Sequence, residues 1–235
     1  MVKVCLIVIS VPVDAVTPEN PERMLALSYA GEGNAALAAL LALDDALAQV
    51  LRSTREPALG QMRLAWWREA LTRLDDSAAP AEPVLQGLAR EVLGRGVTGT
   101  ALVPIVHGWE VLIEEETLDR DALRRFGEGR GSLFVSAGLV LGASPRDPLA
   151  VAGQGWALAD LARNLKAPDE AAEARVQAQG WLDDAVSARW SRKGRALGAL
   201  AHLARLDLAV AEGALPATGS PARVGRLLWH RVTGR

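Results

Sequence analysis

Asp44, Asp45, Asp160 and Asn164 are the oxygen donors of this chain whose types and spacing could do chemistry. Asp160 and Asn164 stand four residues apart, so on a helix they share one face. With Asp44 or Asp45 they would make a reduced oxygen cluster of the kind a hard cation accepts. Asp44 and Asp45 are neighbours, and neighbours on a helix diverge by about 100°, so these two cannot act as a pair at one ion. The plainer reading of Asp160 and Asn164 is a polar stripe or a hydrogen-bonded pair on a solvated helix.

Other chemistries have less to stand on. Cys5 is the only cysteine, which removes a disulfide framework and a cysteine metal site. His107, His202 and His230 lie far apart in sequence without a paired HxxxH spacing, so each reads as a surface or satisfied interior histidine. Gly127, Gly129 and Gly131 resemble a phosphate-cradling loop only superficially, because no strand precedes them and both flanks are helical. Small residues at those places instead let another helix or a ligand come close, at about 1 kcal/mol per interior glycine. A formal charge of −2 without a long like-charge block excludes nucleic acid as a partner.

The elements that position these residues are helices. Half of the 235 residues are hydrophobic, enough for a sizeable core in one domain. Leu37, Leu40, Leu41, Leu43, Leu47, Val50 and Leu51 recur at spacings of three and four, the pattern of one helix face. Ser53 to Pro57 breaks that pattern, and a second helix follows from about Glu56 to Leu74, so the two form a hairpin around which the rest is expected to pack. Trp66 and Trp67 are adjacent and cannot share a face: one belongs to the core, the other is free to line a cavity.

Start and stop signals divide the rest of the chain. Asn20 and Pro21 open a helix that stops at Gly31, and helices are expected over about 84–93, from a Thr100 cap to 116, from Asp119 to 142 and over 149–166. One further helix carries Trp181 and Trp190, another spans about 195–212, and the last begins with Ser220 as cap and Pro221 in its first turn. No sustained β alternation appears after residue 16. The expectation is an all-α fold, with residues 21–235 as one helical domain and 1–20 as an N-terminal extension. The opening MVKVCLIVISVPV is too short to span a bilayer and reads as a strand-like or irregular extension, a minimal secretory signal, or a start placed too far upstream.

The segments ALAALLALDDALAQV and REPALGQMRLAWWREAL together resemble the squalene/phytoene synthase family, with GQMRLAWWREAL the most specific part. The resemblance covers about Met24 to Trp190. It implies an isoprenoid-synthase-like bundle around a central apolar cavity and, in active members, head-to-head joining of two prenyl diphosphates. Ionising an allylic diphosphate needs Mg²⁺ held by carboxylates, and the family places two aspartate-rich motifs across the cavity mouth for that purpose.

Both motifs depart from the family pattern here. Aligned without gaps, the first falls on Ala48, Gln49 and Arg52, none a carboxylate, and Arg52 carries a positive charge to where a metal should bind. Asp44 and Asp45 come about one turn early. In the second motif, WALADLARNLKAPDE supplies Asp160, Arg163 and Asn164, with Ala167 at the key aspartate position and Asp169 and Glu170 beyond Pro168. The resemblance therefore implies a pseudoenzyme, similar to the branch of the family represented by complex I assembly factor 6.

On that reading no cofactor is needed; Mg²⁺ enters only if the chain is a prenyltransferase. The implied partners are an isoprenoid or lipid-like molecule and subunits of a respiratory complex, and a peripheral membrane contact stays open alongside a cytoplasmic location. The cavity candidates are Asp44, Asp45, Gln49, Arg52, Gln61, Arg63, Trp66, Trp67, Asp160 and Asn164, with Asp44, Asp45 and Asp160 as the weak metal candidates. Arg63, Arg68 and Glu69 could line a diphosphate pocket or form ordinary intrahelical salt bridges. A plain helical interaction scaffold is the remaining alternative.

Overall fold

The computed structural model describes residues 20–54, 56–210 and 214–235, so the expected N-terminal extension up to residue 19 lies outside the described residues. Among the described residues the protein is all-α, with ten helices and no strand. They are α1 (Pro21–Ser28), α2 (Asn34–Ser53), α3 (Pro57–Arg73), α4 (Pro83–Glu91), α5 (Val103–Glu114), α6 (Arg120–Leu141), α7 (Leu149–Asn164), α8 (Pro168–Ser187), α9 (Arg195–Leu208) and α10 (Pro221–Thr233). Six of them, α1, α3, α4, α5, α8 and α10, place a proline in the first turn, where its missing N–H costs nothing. Asn20 caps α1 by accepting from the amides of Glu22 and Arg23, and Asp119 caps α6 through the amide of Ala122.

Several boundaries differ from expectation for local reasons. Thr100 does not cap α5; it lies in a short 3₁₀ turn and donates its hydroxyl to Asp75 at 2.7 Å, while Thr98 accepts from the amide of Ala101. Ser220 occupies the N-cap position of α10 without a side-chain cap bond. Trp190 lies outside α8, its backbone N–H donating to Gly234 instead.

The centre of the fold is not the α2–α3 hairpin. The most extensive contacts run through consecutive helices, α5 on α6, α6 on α7 and α7 on α8, whereas α2 packs more against α4 and α6 than against α3. The glycine run makes that centre. A Cβ at Gly129 would stand 2.6 Å from Gly108 Cα on α5, and one at Gly131 would stand 2.6 Å from the Gly153 carbonyl carbon on α7. Two helix backbones thus come against α6 on either side, bearing out the close-approach reading of these glycines. Phe126, Leu133 and Phe134 fill the remaining core of α6.

The segment Gly31–Ser53 is long and apolar enough to cross a membrane by length and composition alone. Half of its apolar window is buried inside the protein, with Leu37, Leu40, Leu43 and Leu47 at no more than 1% exposure, as for a core helix.

Candidate functional site

A cleft of about 270 Å³ opens where α1, α2, α7 and α9 converge, with α5 and α6 beneath it. Asp44, Asp45 and Arg52 enter it from α2, Trp156, Asp160, Arg163 and Asn164 from α7, and Leu200, Leu203 and Asp207 from α9. Trp109 of α5 and Arg130 of α6 also line it.

Asp44 continues the apolar stripe of Leu37, Leu40 and Leu41, seven residues after the first of these, and that phase drives its carboxylate into the interior at 3% exposure. Asp45 turns outward and pairs with Arg23 of α1 at 2.8 Å. The divergence expected of adjacent residues is what the structure shows. Arg130 sits in the same way within the apolar stripe of α6, in phase with Leu123, Phe126, Phe134 and Ala137, and is 4% exposed. The glycines on each side bring α5 and α7 close enough for its guanidinium to reach both.

Arg130 uses all three guanidinium nitrogens. Nε donates to Asp44 Oδ1 at 2.8 Å, Nη2 to Asp44 Oδ2 at 2.7 Å and Nη1 to Asp160 Oδ2 at 2.6 Å. Its Cζ lies 4.5 Å from the ring centroids of both Trp109 and Trp156, and Trp109 Nε1 donates to Asp44 Oδ1 at 2.9 Å. Burial opposes the charge, yet the neighbouring Asp44 and Asp160 outweigh it and hold the guanidinium above its ordinary pKa. The result is a fork-on-fork pair with Asp44 and a single strong bond to Asp160.

This arrangement tests the fit of Mg²⁺. Both oxygens of Asp44 and one of Asp160 are committed to a buried guanidinium that already supplies the positive charge between them. The second Asp160 oxygen faces Asn164, whose amide donates to the Asp160 carbonyl at 2.7 Å. A divalent ion would have to displace Arg130 from its two aromatic faces, so these residues do not fit the metal. Among the described residues no group of three or more His, Cys, Asp or Glu side chains is placed to hold one.

The structure brings together Asp44, Asp45, Arg52, Asp160 and Asn164 and leaves the other candidates outside. Gln49 lies on the exposed face of α2, out of phase with Asp44. Helix α3 contributes nothing to the cleft: Gln61 is exposed, Arg63 donates to the hydroxyls of Ser53 and Thr54, and Trp67 is buried in the core. Trp66 is 47% exposed and borders a separate groove with Arg73 and Pro80, so it lines a depression but not this one. Neither does Arg68 line a diphosphate pocket with Arg63 and Glu69; it approaches Glu110 of α5 at 3.4 Å, and Glu69 pairs with Arg73 one turn on.

Sequence reasoning missed Arg130. A lone arginine in phase with the apolar residues of GEGRGSLF was the available signal. It also missed the proximity of His202 and His230, whose rings lie 4.7 Å apart between α9 and α10 and are both buried.

At one edge of the cleft Asp207 meets a second buried arginine. Arg223 of α10 bonds both oxygens of Glu22 on α1, with Nη2 to Oε2 at 2.7 Å, and stands 2.8 Å from Asp207 with Nη1. Glu22 also accepts from the amide of Gly219 at 2.7 Å. Burial alone would raise the Glu22 pKa, but Arg223 and the Gly219 amide hold it below the ordinary range, while burial pushes Asp207 up against the pull of Arg223 and Arg163.

Comparison with family models, with curated proteins and with solved structures returns no match for this chain.

Proposed function

We propose that this protein is a non-catalytic helical binding protein of the squalene/phytoene synthase type, in which a built-in cation stands where an active relative would recruit metal. The observation that carries the proposal is the engagement of Asp44 and Asp160 by Arg130. With both carboxylates already bonded to an internal cation, the cleft has no call for Mg²⁺ to hold them together.

What remains is a small open cleft of mixed lining, somewhat more polar than apolar. Ala48, Ala159, Leu200 and Leu203 offer apolar surface, and Arg23, Arg52 and Arg163 stand around it. That combination suits an amphiphile with a greasy chain and a polar or anionic head, of the isoprenoid or lipid-like class. At about 270 Å³ the cleft lies just below the usual range of about 300–1,000 Å³ for small-molecule sites, so it would take a short ligand or one segment of a longer one.

Native mass spectrometry of the full chain purified from its own cells tests this reading. An isoprenoid or lipid adduct that is retained by the native protein and lost when Leu200→Arg or Leu203→Arg fills the cleft is the expected result. A protein that carries no adduct and takes up none from added prenyl lipids would refute it. The proposed role in respiratory-complex assembly rests on the resemblance alone and is tested by deleting the gene and assaying NADH:quinone oxidoreductase assembly; normal assembly would remove that partner.

A further inference from the structure

Helix α10 has two apolar faces. One, with Leu227 and His230, packs inward, and the other presents Leu228, Trp229 and Val232 to solvent at 49%, 58% and 76% exposure. These positions recur at intervals of one, three and four, which aligns them as a continuous outward stripe, extended one turn back by the small Gly225. An outward stripe with a tryptophan is unlike the ordinary solvated face of a surface helix, where polar residues stand.

The exposed charges of α10 and of the adjoining α8–α9 loop are of one sign, the nearby carboxylates Glu22 and Asp147 being buried. No acidic residue follows Glu212 in the chain, and none lies between Asp184 and Asp207. The second interval holds the loop between α8 and α9, and that loop is fixed beside the end of α10: the Trp190 amide donates to the Gly234 carbonyl at 2.8 Å and the Arg195 guanidinium donates to the Arg231 carbonyl. Exposed Arg189 and Arg192 from the loop thus join exposed Arg231 and Arg235 at one end of the stripe. A cation in the last helical turn also offsets the helix dipole, which accounts for Arg231. It does not account for Arg189 and Arg192, which lie outside the helix, or for the exposed tryptophan.

We propose that the outer face of α10 docks on an anionic lipid bilayer, with Leu228, Trp229 and Val232 entering the headgroup boundary and Arg189, Arg192, Arg231 and Arg235 meeting lipid phosphates. A helix with an apolar stripe, an interfacial tryptophan and a cationic rim lies in the plane of such an interface. The charge complementarity selects lipid over a second copy of this chain, whose own α10 would bring like charge against like. The proposal is independent of what the cleft binds.

Cosedimentation of the full chain with phosphatidylcholine vesicles, with and without phosphatidylserine, tests it. The protein should bind the anionic vesicles and not the neutral ones, and added salt should weaken binding. Trp229→Ser with Val232→Ser should reduce affinity roughly tenfold or more, and Arg189→Gln with Arg192→Gln about fivefold per arginine removed. These side chains are exposed, so unchanged circular dichroism and melting would show that the variants fold. Quenching by brominated lipid should fall in Trp229→Phe by the share of that one tryptophan. Failure to bind anionic vesicles, equal binding to neutral ones, or binding undiminished in both double variants would each overturn the proposal. So would self-association that is lost in Trp229→Ser without any vesicle binding, since that would assign the face to a second copy.

Discussion

Arg130 and Arg223 do the same thing in two different places. Each is a buried arginine that bridges two carboxylates from other helices, Asp44 and Asp160 in one case and Glu22 and Asp207 in the other. Around Arg130 the backbone is held by glycine contacts on both sides and the guanidinium lies against two indole rings, so the pair belongs to the core formed by α5, α6 and α7. Arg223 has no such frame. It joins α10 to α1 and α9 at the edge of the fold, where the Gly219 amide donates to its partner Glu22. The comparison separates a clamp that shapes a site from a staple that holds a helix in place.

The difference should be measurable as the extent of damage. Removing one partner of a buried ion pair leaves the other charge uncompensated, so Arg130→Met should lower unfolding free energy by about 3–5 kcal/mol. Replacing both ends, Arg130→Met with Asp44→Leu, should restore much of that loss, because the stranded carboxylate is gone. Chemical denaturation of the three proteins checks this. A loss below about 1 kcal/mol in Arg130→Met would mean that the clamp is hydrated and the contrast with Arg223 false.

Acid probes the other side of the comparison. Burial, reinforced by the neighbouring His230 ring and Arg226, lowers the His202 pKa to about 3, and burial, with Arg195 and Arg226, lowers His230 to about 4. Unfolded histidines titrate near 6.5. Between those values the unfolded chain binds protons that the native protein refuses. The stabilisation is therefore complete above pH 6.5 and is lost as pH falls toward 4 and 3. A loss of about 2–3 kcal/mol between pH 7.5 and 5.5 is expected from the pair. Hydrogen exchange should show α9 and α10 opening first, with α6 and α7 still protected.

Arg223→Met should have the smallest effect of the three, about 2 kcal/mol, because α10 can detach locally and let Glu22 rehydrate without unfolding the centre. Exchange should quicken in α1 and α10 and stay unchanged in α5 to α8. Uniform loss of protection would instead place both arginines in one cooperative core.

Much of this architecture was legible in the sequence, because prolines, caps and apolar spacing are local signals. Asn20 before Pro21, Asp119 before α6 and the break at Pro57 mark helix boundaries without reference to the rest of the fold. The site was legible only in part. Asp44, Asp160 and Asn164 announce themselves as oxygen donors, but what neutralises them lies 86 residues away from Asp44 in α6. The partner of Glu22 is farther still, 201 residues on. Gln61, Arg63 and Trp66 read as cavity residues from the family resemblance and from the divergence of adjacent Trp66 and Trp67 around one helix. In the fold α3 instead turns to α5, and α7 and α9 take the place opposite α2.

The central claim is that Arg130 occupies, as a permanent cation, the position between Asp44 and Asp160, so that the cleft works without metal. Incubating the protein with farnesyl or geranylgeranyl diphosphate, with and without Mg²⁺, and measuring pyrophosphate release tests it most directly. Release at the background rate, unchanged by Mg²⁺, is the expected result. Magnesium-dependent turnover that disappears in both Asp44→Ala and Asp160→Ala would contradict it and return the protein to the prenyltransferases.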